Sequence, residues 1–422
     1  MKTPSRFLAS LAALLLCTAA SAQLKPRPDA FPPVDEALPT KAVQMAASRA
    51  EMAAWDRYPT YNTYLEMMQH WAETYPSLCH VDTIGTSVQG RLILSMCIQV
   101  QTDDDIYRPE FFYSSTIHGD EVTGYVMLLR LIDTLLAGYG NNRQYTDLID
   151  RSVICINPLA NPDGTYYRNN NTVQGSRRYN ANNIDLNRNY PDPFAPTKEP
   201  LQKENEAMIA YVSAHNFRLS ANLHGGSEVL NYPWDSFTSA QRPHPDADWW
   251  QTVCQHFIDT LRAVDNSHFR DVTPSGYIAG GDWYVISGGR QDYMNYYHNC
   301  LEMTMEVSSV KTLSSDRLPE YWQFLQHPLV NYIAEVHALP GTQGINTAGS
   351  SLHVGLFPNP ATATVTVTGV PAGQTVVLLD MSGRTLRTFT ASGNDIVIGL
   401  DGLPRGVYAV RVAGTVAKFV KH

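Results

Sequence analysis

The feature that most limits how this chain can fold is a hydrophobic period that switches back and forth over about 280 residues. Short apolar runs of strand character occur at 91–100, 111–117, 151–157, 218–223 and 301–307. Between them lie stretches with helical spacing, at 61–75, 122–136, 199–215 and 321–337. Tyr64, Met67, Met68 and Trp71 fall on one face of the first. Residues 122–136 read as a strongly amphipathic helix, stopped by Gly138 and Gly140. Strands that alternate with helices in this way predict an α/β domain built on a mixed sheet, spanning residues 57–339.

Both flanks differ from that domain. Lys2 and Arg6 precede an apolar run at 7–20 that is too short to span a bilayer, and Ala20-Ser21-Ala22 offers small residues for cleavage. Residues 1–22 are expected to be a secretory signal peptide, with an N-terminal membrane anchor as the alternative. Residues 23–56, rich in Pro and Ala, are expected to be a leader. No later segment is long and apolar enough to cross a membrane. Residues 340–351 carry Pro, Gly, Thr and Ser and read as a linker. Beyond it, β-type runs at 364–368, 375–379, 395–400 and 407–412 are separated by Ser382-Gly383, Ser392-Gly393 and Pro404-Arg405-Gly406. Residues 352–422 therefore predict a small all-β sandwich.

Charge and cysteine usage narrow the classes. A formal net charge of -9 argues against a nucleic-acid-binding surface, which needs a basic face. Of six cysteines, Cys17 lies in the expected signal peptide, so Cys79, Cys97, Cys155, Cys254 and Cys300 remain. An odd number leaves at least one unpaired, and the spacing shows no zinc-ribbon pattern. Cys155, within an apolar run, reads as a small buried hydrophobe. Cys254–Cys300 is a candidate disulfide.

One constellation carries metal chemistry. His118-Gly-Asp-Glu121 stands where a strand hands over to the helix at 122–136, and His224 ends the strand at 218–223 before Gly225-Gly226. An imidazole and a carboxylate separated by two residues can face one ion from such a turn. A lone pattern of this kind is also what a surface His and a helix-start Glu would show. A third ligand from a second strand end makes a His/Glu/His set, which leaves a fourth position for water, as catalytic zinc sites do.

Further segments accompany this set: Ser114-Ser-Thr-Ile-His-Gly-Asp-Glu121, Asn157-Pro, Asn161-Pro-Asp-Gly164, Arg178, Asp185-Leu-Asn-Arg-Asn-Tyr-Pro191, Leu223-His-Gly-Gly226, Gly288-Gly-Arg-Gln-Asp292 and Met305-Glu-Val-Ser308. Their kind and order resemble the M14 zinc carboxypeptidases, in particular the carboxypeptidase N/E subfamily, over roughly residues 57–338. The resemblance implies an eight-stranded mixed sheet between helices, one Zn2+ held by His118, Glu121 and His224, and hydrolysis of the C-terminal peptide bond of peptides or proteins. The chain departs from the animal subfamily in lacking the small β domain that follows the catalytic domain there.

The same resemblance assigns roles to other residues. Asn187 and Arg188 match the pair that binds the free α-carboxylate, a task suited to a planar guanidinium. Arg178 matches the arginine that polarises the scissile carbonyl, although Arg177 adjoins it. Both arginines could instead pair with Asp185 and Asp192. Glu302 and Glu306 stand four apart on one strand face, so alternation does not choose between them. The resemblance makes Glu306 the general base. It makes Tyr284 the tyrosine that closes over substrate. Asp235 and Gln291 match the positions that line the pocket of the basic-specific subfamily, which implies a preference for C-terminal Lys or Arg. Arg290 beside Gln291 would oppose that preference if it turned inward, and Asp235 could instead pair with Arg242.

Leu356-Phe-Pro-Asn-Pro-Ala361, Asp380-Met-Ser-Gly-Arg384, Gly406-Val-Tyr-Ala-Val410 and Lys418-Phe-Val-Lys421 resemble the C-terminal sorting domain of type IX secretion cargo. That implies the secretion machinery as a partner, and a secreted or surface-attached enzyme after removal of both end segments. Two rival functions remain: a zinc amidase acting on bacterial cell-wall peptides, and a non-catalytic surface binding module.

Overall fold

The computed structural model describes residues 43–101, 108–192, 194–196, 199–340, 354–380, 384–412 and 415–422. The expected signal peptide, the leader up to residue 42, the linker 341–351 and the Ser382-Gly383 turn lie outside the described residues. In chain order the elements are β1 (Met45–Ala46), β2 (Tyr58–Pro59), α1 (Tyr61–Thr74), β3 (Cys79–Thr86), β4 (Leu92–Ile98), β5 (Glu110–Ser115), α2 (Thr123–Gly138), α3 (Arg143–Arg151) and β6 (Val153–Asn157). There follow α4 (Pro162–Thr165), α5 (Lys203–Ala214), β7 (Phe217–His224), β8 (Ser227–Tyr232), α6 (Ala247–Arg262), β9 (Tyr277–Ala279), α7 (Gly280–Trp283), α8 (Arg290–Tyr297), β10 (Leu301–Ser308) and α9 (Leu318–Ala334).

Strands β3 to β10 form the expected mixed sheet of eight strands, in the order β3-β4-β6-β5-β7-β10-β8-β9. Pairings β6–β5, β5–β7 and β7–β10 are parallel, while β3–β4, β4–β6 and β10–β8 are antiparallel. Successive side chains on a strand point to opposite faces. Phe111 and Tyr113 join the core under α1, α2, α6 and α9, while Phe112 joins the core under α5 and α8. On β7 and β10 one alternation is wholly apolar: Leu219, Ala221, Leu223, Met303, Met305 and Val307 pack under α2 and its neighbours. The other alternation carries Ser220, Asn222, His224, Glu302, Thr304 and Glu306, all buried. That polar stripe is the base of the site.

Two readings change in the structure, while the amphipathic reading of α2 holds in its second half: Arg130, Asp133, Thr134 and Ala137 form a partly exposed stripe opposite the buried Leu128, Leu131, Ile132 and Leu135, and residues 123–129 are buried all round. Residues 43–56, expected in the leader, pack with the domain, with Val43, Ala46, Met52 and Trp55 in its core. A two-residue strand and a single 3-10 turn are too short to show a period. The candidate disulfide Cys254–Cys300 is not formed; Cys97 and Cys155 are bonded instead. Antiparallel β4 and β6 place Cys97 opposite Cys155 with Cα atoms 4.1 Å apart. Cys254 packs against Met303 Sδ, and Cys300 lies 3.2 Å from Ser220 Oγ.

The tail forms the expected sandwich. A sheet of β11 (Gly355–Phe357), β12 (Thr364–Thr368) and β15 (Asp395–Gly399) faces one of β13 (Thr375–Asp380), β14 (Thr385–Thr390), β16 (Gly406–Val412) and β17 (Thr415–Lys421). Val365, Val367, Val376, Leu378, Ile398 and Val410 fill the space between them. Among the described residues, no helix is long and apolar enough to cross a membrane.

Candidate active site

The parallel strands β5, β7 and β10 are neighbours, so their C-terminal ends open on one side of the sheet, where open α/β sheets bind ligands. His118 and Glu121 lie in the turn from β5 to α2, and His224 is the last residue of β7. Glu306 on β10 sits in register with His224. Thr116, at φ 60°, turns the chain out of β5 towards His118.

The three residues converge. Glu121 Oε2 is 3.0 Å from His118 Nδ1 and 2.8 Å from His224 Nδ1, and the two Nδ1 atoms are 3.0 Å apart. Each imidazole is held from behind: His118 Nε2 lies 3.1 Å from Asp185 Oδ1, and His224 Nε2 lies 2.5 Å from Asn222 Oδ1. These acceptors place the proton on Nε2 and leave the lone pair of each Nδ1 facing inward. Two such lone pairs and a carboxylate oxygen at this spacing repel one another unless a cation lies among them. The donor types suit zinc. Among the described residues a second group, His80, Asp82 and Cys97, also clusters, but the Cys97 sulfur is committed to the disulfide.

Around the triad the other expected residues take distinct positions. Arg178 donates through Nε to Asp185 Oδ2 at 3.0 Å and places Nη1 3.5 Å from Glu121 Oε1. Burial opposes ionisation of Asp185, but its contact with His118 and the charges of Arg178 and Arg188 hold its carboxyl well below the usual range. Asn187 and Arg188 lie in a 3-10 turn capped by Asp185. Asn187 Oδ1 accepts from the Arg290 amide at 2.9 Å. A cavity of about 450 Å³ opens beside Arg188, between Phe194, Phe237, Ile286 and Ser287.

The two glutamates of β10 are separated by their partners. Glu302 accepts from Arg290 at 3.0 Å, Ser220 Oγ at 2.7 Å and Asn222 Nδ2 at 3.0 Å. Glu306 Oε2 is buried without a hydrogen bond. Burial, then the charge of Glu121, pushes the Glu306 carboxyl well above its usual range. Tyr284, at the end of α7, lies close enough to Glu306, Arg188 and Asp235 to feel their charges.

Asp235 is buried and accepts from Gln291 Nε2 at 2.9 Å. Burial and the nearby Asp292 push its carboxyl well above the usual range. Arg242 does not pair with it, but stacks on Phe194, Trp234 and Phe237. Arg290 does turn inward, yet it is engaged by Glu302 and Ser114 and lies over the Phe112 ring. Several contributors were not singled out from sequence. Asn222 could have been found as the same-face neighbour of His224. Gly280 carries no local signal: a Cβ there would lie 1.9 Å from Asp235 Oδ1, so only glycine leaves room for that carboxylate.

Comparison with known proteins decides the family. The zinc carboxypeptidase pattern matches residues 64–326. The chain belongs to the zinc carboxypeptidase family. A second pattern, the secretion system C-terminal sorting domain, matches residues 355–422. Mouse carboxypeptidase D is 32% identical over 314 residues, covering 70% of this chain and 23% of that protein. The chain thus spans about a quarter of the length of that relative. Mouse carboxypeptidase M is 34% identical over 299 residues, covering 67% of this chain and 66% of that protein. Among solved structures, Helicoverpa armigera carboxypeptidase A has 19% identity and a TM-score of 0.58, covering 71% of this chain and 78% of that one. Thrombin activatable fibrinolysis inhibitor has 16% identity and a TM-score of 0.59, covering 69% and 77%. These structural likenesses establish that the zinc carboxypeptidase fold is shared.

Proposed function

We propose that this protein is a secreted zinc metallocarboxypeptidase that hydrolyses the C-terminal bond of peptides or proteins, with preference for C-terminal Lys or Arg. The observation that carries the reading is a buried Glu306 carboxylate, free of hydrogen bonds on Oε2, in register with His224 of a convergent His/Glu/His donor set, with Tyr284 near enough to both Glu306 and Arg188 to feel their charges. His118, Glu121 and His224 would hold zinc, which when bound would supply Lewis acidity to polarise a carbonyl and lower the pKa of water.

The protein's own groups do the rest. Arg188, with Asn187, receives the α-carboxylate and thereby selects a chain end. Arg178 directs its guanidinium at the carbonyl oxygen as negative charge develops there. Glu306 takes a proton from the attacking water and returns it to the leaving nitrogen. Burial, which raises the Glu306 pKa, favours its holding the proton before that return. Tyr284 covers the bound residue and excludes solvent. Asp235, steadied by Gln291, receives the ammonium or guanidinium of the released side chain. An apolar side chain would leave that carboxylate unpaired, at a cost of about 1–3 kcal/mol, or roughly a tenfold to hundredfold preference in kcat/KM.

The test compares otherwise identical peptides ending in Arg, Lys, Leu, Phe and Glu, for the wild type and Asp235→Ala, with and without a chelator. The expected outcome is fastest release of Arg and Lys, loss of that preference in the variant, and loss of all hydrolysis on chelation with recovery on adding zinc. Faster release of Leu or Phe by the wild type would sink the basic pocket. Chelator-resistant hydrolysis would sink the zinc mechanism.

A further inference from the structure

Behind His224 a line of buried polar groups runs back through the sheet to α8. Arg290, the first residue of α8, donates to Ser114 Oγ and, through Nη2, to Glu302 Oε2 at 3.0 Å. Glu302 Oε1 accepts from Asn222 Nδ2 at 3.0 Å, and Asn222 Oδ1 lies 2.5 Å from His224 Nε2. All four side chains are buried. Parallel pairing of β7 with β10 sets Asn222 opposite Thr304, whose Oγ1 lies 3.2 Å from the same Nδ2. The Met303 carbonyl lies 3.5 Å from that nitrogen. The Asn222 nitrogen therefore faces a carboxylate, a carbonyl and a hydroxyl, while its oxygen faces the imidazole.

We propose that Asn222 is a positioning residue of the metal site, and that the Arg290–Glu302 pair sets the direction of its amide and, through it, the tautomer of His224. This rests on the reading of His224 as a zinc ligand. The two ends of an amide have the same shape and opposite hydrogen-bonding character, so the surroundings decide which way it points. An ionised carboxylate only accepts, which turns Nδ2 towards Glu302 and Oδ1 towards His224. An acceptor at Nε2 keeps the imidazole proton there and leaves the Nδ1 lone pair for the ion. Turned over, the amide would set its oxygen against the Glu302 carboxylate and its nitrogen against Nε2. The imidazole proton would then sit on Nδ1, the atom that faces Glu121 and His118, and His224 would no longer ligate. Burial favours a protonated Glu302, which could donate, and the charge of Arg290 opposes that. Arg290 thus keeps the line polarised in one direction across Glu302 and Asn222.

The test uses the full chain as wild type, Asn222→Leu, Thr304→Val, Glu302→Gln, and the exchange that combines Asn222→Asp with Glu302→Gln. Zinc affinity is read by competition with a chromophoric chelator, and fold stability separately by melting of the metal-free proteins. Asn222→Leu should weaken zinc binding about 10–100-fold, the usual effect of removing a group that orients a metal ligand. Thr304→Val takes a hydroxyl from the same amide without touching its oxygen, so it should melt lower yet bind zinc as the wild type does. Glu302→Gln should weaken zinc binding, since either end of its amide can face Asn222. The exchange keeps one carboxylate in the line and places it beside His224, so it should bind zinc more tightly than Glu302→Gln alone. Unchanged zinc affinity in Asn222→Leu would overturn the inference. So would equal losses in Asn222→Leu and Thr304→Val, or an exchange variant no tighter than Glu302→Gln. Should a variant fail to fold, the wild type decides. Nitrogen NMR of histidine-labelled, metal-free protein at about pH 8, above the ordinary imidazole range, should find His224 protonated on Nε2, its signal identified by loss in His224→Gln. A proton mainly on Nδ1 would overturn the inference while leaving the ligand set intact. A wild type that binds no stoichiometric zinc would overturn both.

Discussion

Glu302 and Glu306 are the same residue type on the same face of one strand, and their surroundings give them opposite tasks. Glu302 neutralises a wholly buried Arg290, whereas Glu306 is left without a hydrogen bond on one oxygen, facing the donor set. Glu306→Gln should therefore fold and hold zinc but lose at least about 10²–10⁴-fold in kcat, measured with an Arg-ending peptide alongside elemental analysis. Glu302→Gln should act on stability instead. It leaves the Arg290 guanidinium buried beside a neutral amide, and breaking a buried pair costs roughly 3–5 kcal/mol, read by denaturant unfolding. If Glu302→Gln is the stable but inactive protein and Glu306→Gln stays active, the two assignments are reversed. His224→Ala should lose most of its zinc, because two remaining ligands hold the ion poorly. Stoichiometric zinc in that variant would remove His224 from the site.

Between elements, two ties stand out, one joining the sheet to its surroundings and one joining two of its strands. Glu228 on β8 accepts from His268 Nδ1 at 2.9 Å, from the Phe269 amide at 3.1 Å and from Tyr321 Oη at 2.9 Å, joining β8 to the loop after α6 and to α9. Burial works against a charged His268, but the hydrogen bond and charge of Glu228 outweigh it and raise the imidazole above its ordinary 6.5. Burial likewise opposes an ionised Glu228, yet His268 and the Phe269 amide hold it below its ordinary 4.5. The His268 contribution is complete below pH 6.5 and is lost as pH rises through the elevated folded value. The Glu228 contribution is complete above pH 4.5 and is lost as pH falls through the depressed one. The melting difference between wild type and His268→Gln should thus be largest between pH 4.5 and 6.5 and shrink above neutrality. A difference that stays flat up to about pH 9 would contradict the pairing. The second tie is Cys97–Cys155, which closes a sequence separation of 58. A loop of that size corresponds to about 4 kcal/mol in the chain-entropy picture, so the double Ser variant should melt several degrees lower.

At the scale of the whole molecule, the sandwich has its own apolar core, made entirely of residues from 354 onward. The candidate site residues all lie between His118 and Glu306, in the other domain. Truncation near Thr347 should therefore leave peptide hydrolysis intact and hold the enzyme in the periplasm, as judged by fractionation of the producing cells. An inactive truncated enzyme would make the sandwich part of the catalytic structure instead. The α/β alternation, the strand at 301–307, the linked helices and the β-rich tail were all legible in sequence, because each rests on a period that a single segment displays by itself. So was the candidate donor set His118, Glu121 and His224, which the structure brings together, because chemistry of that kind requires particular side chains at strand ends. What tertiary structure alone decided depends on which strands lie side by side. The strand order put β4 next to β6, which pairs Cys97 with Cys155 and leaves Cys254 and Cys300 as thiols. It also put Arg290 beneath Glu302, Gly280 against Asp235, and Lys311 beside Glu121 across a gap of 190 residues in sequence. No local pattern encodes such pairs, since they arise only when burial of the apolar faces forces the whole sheet into one order.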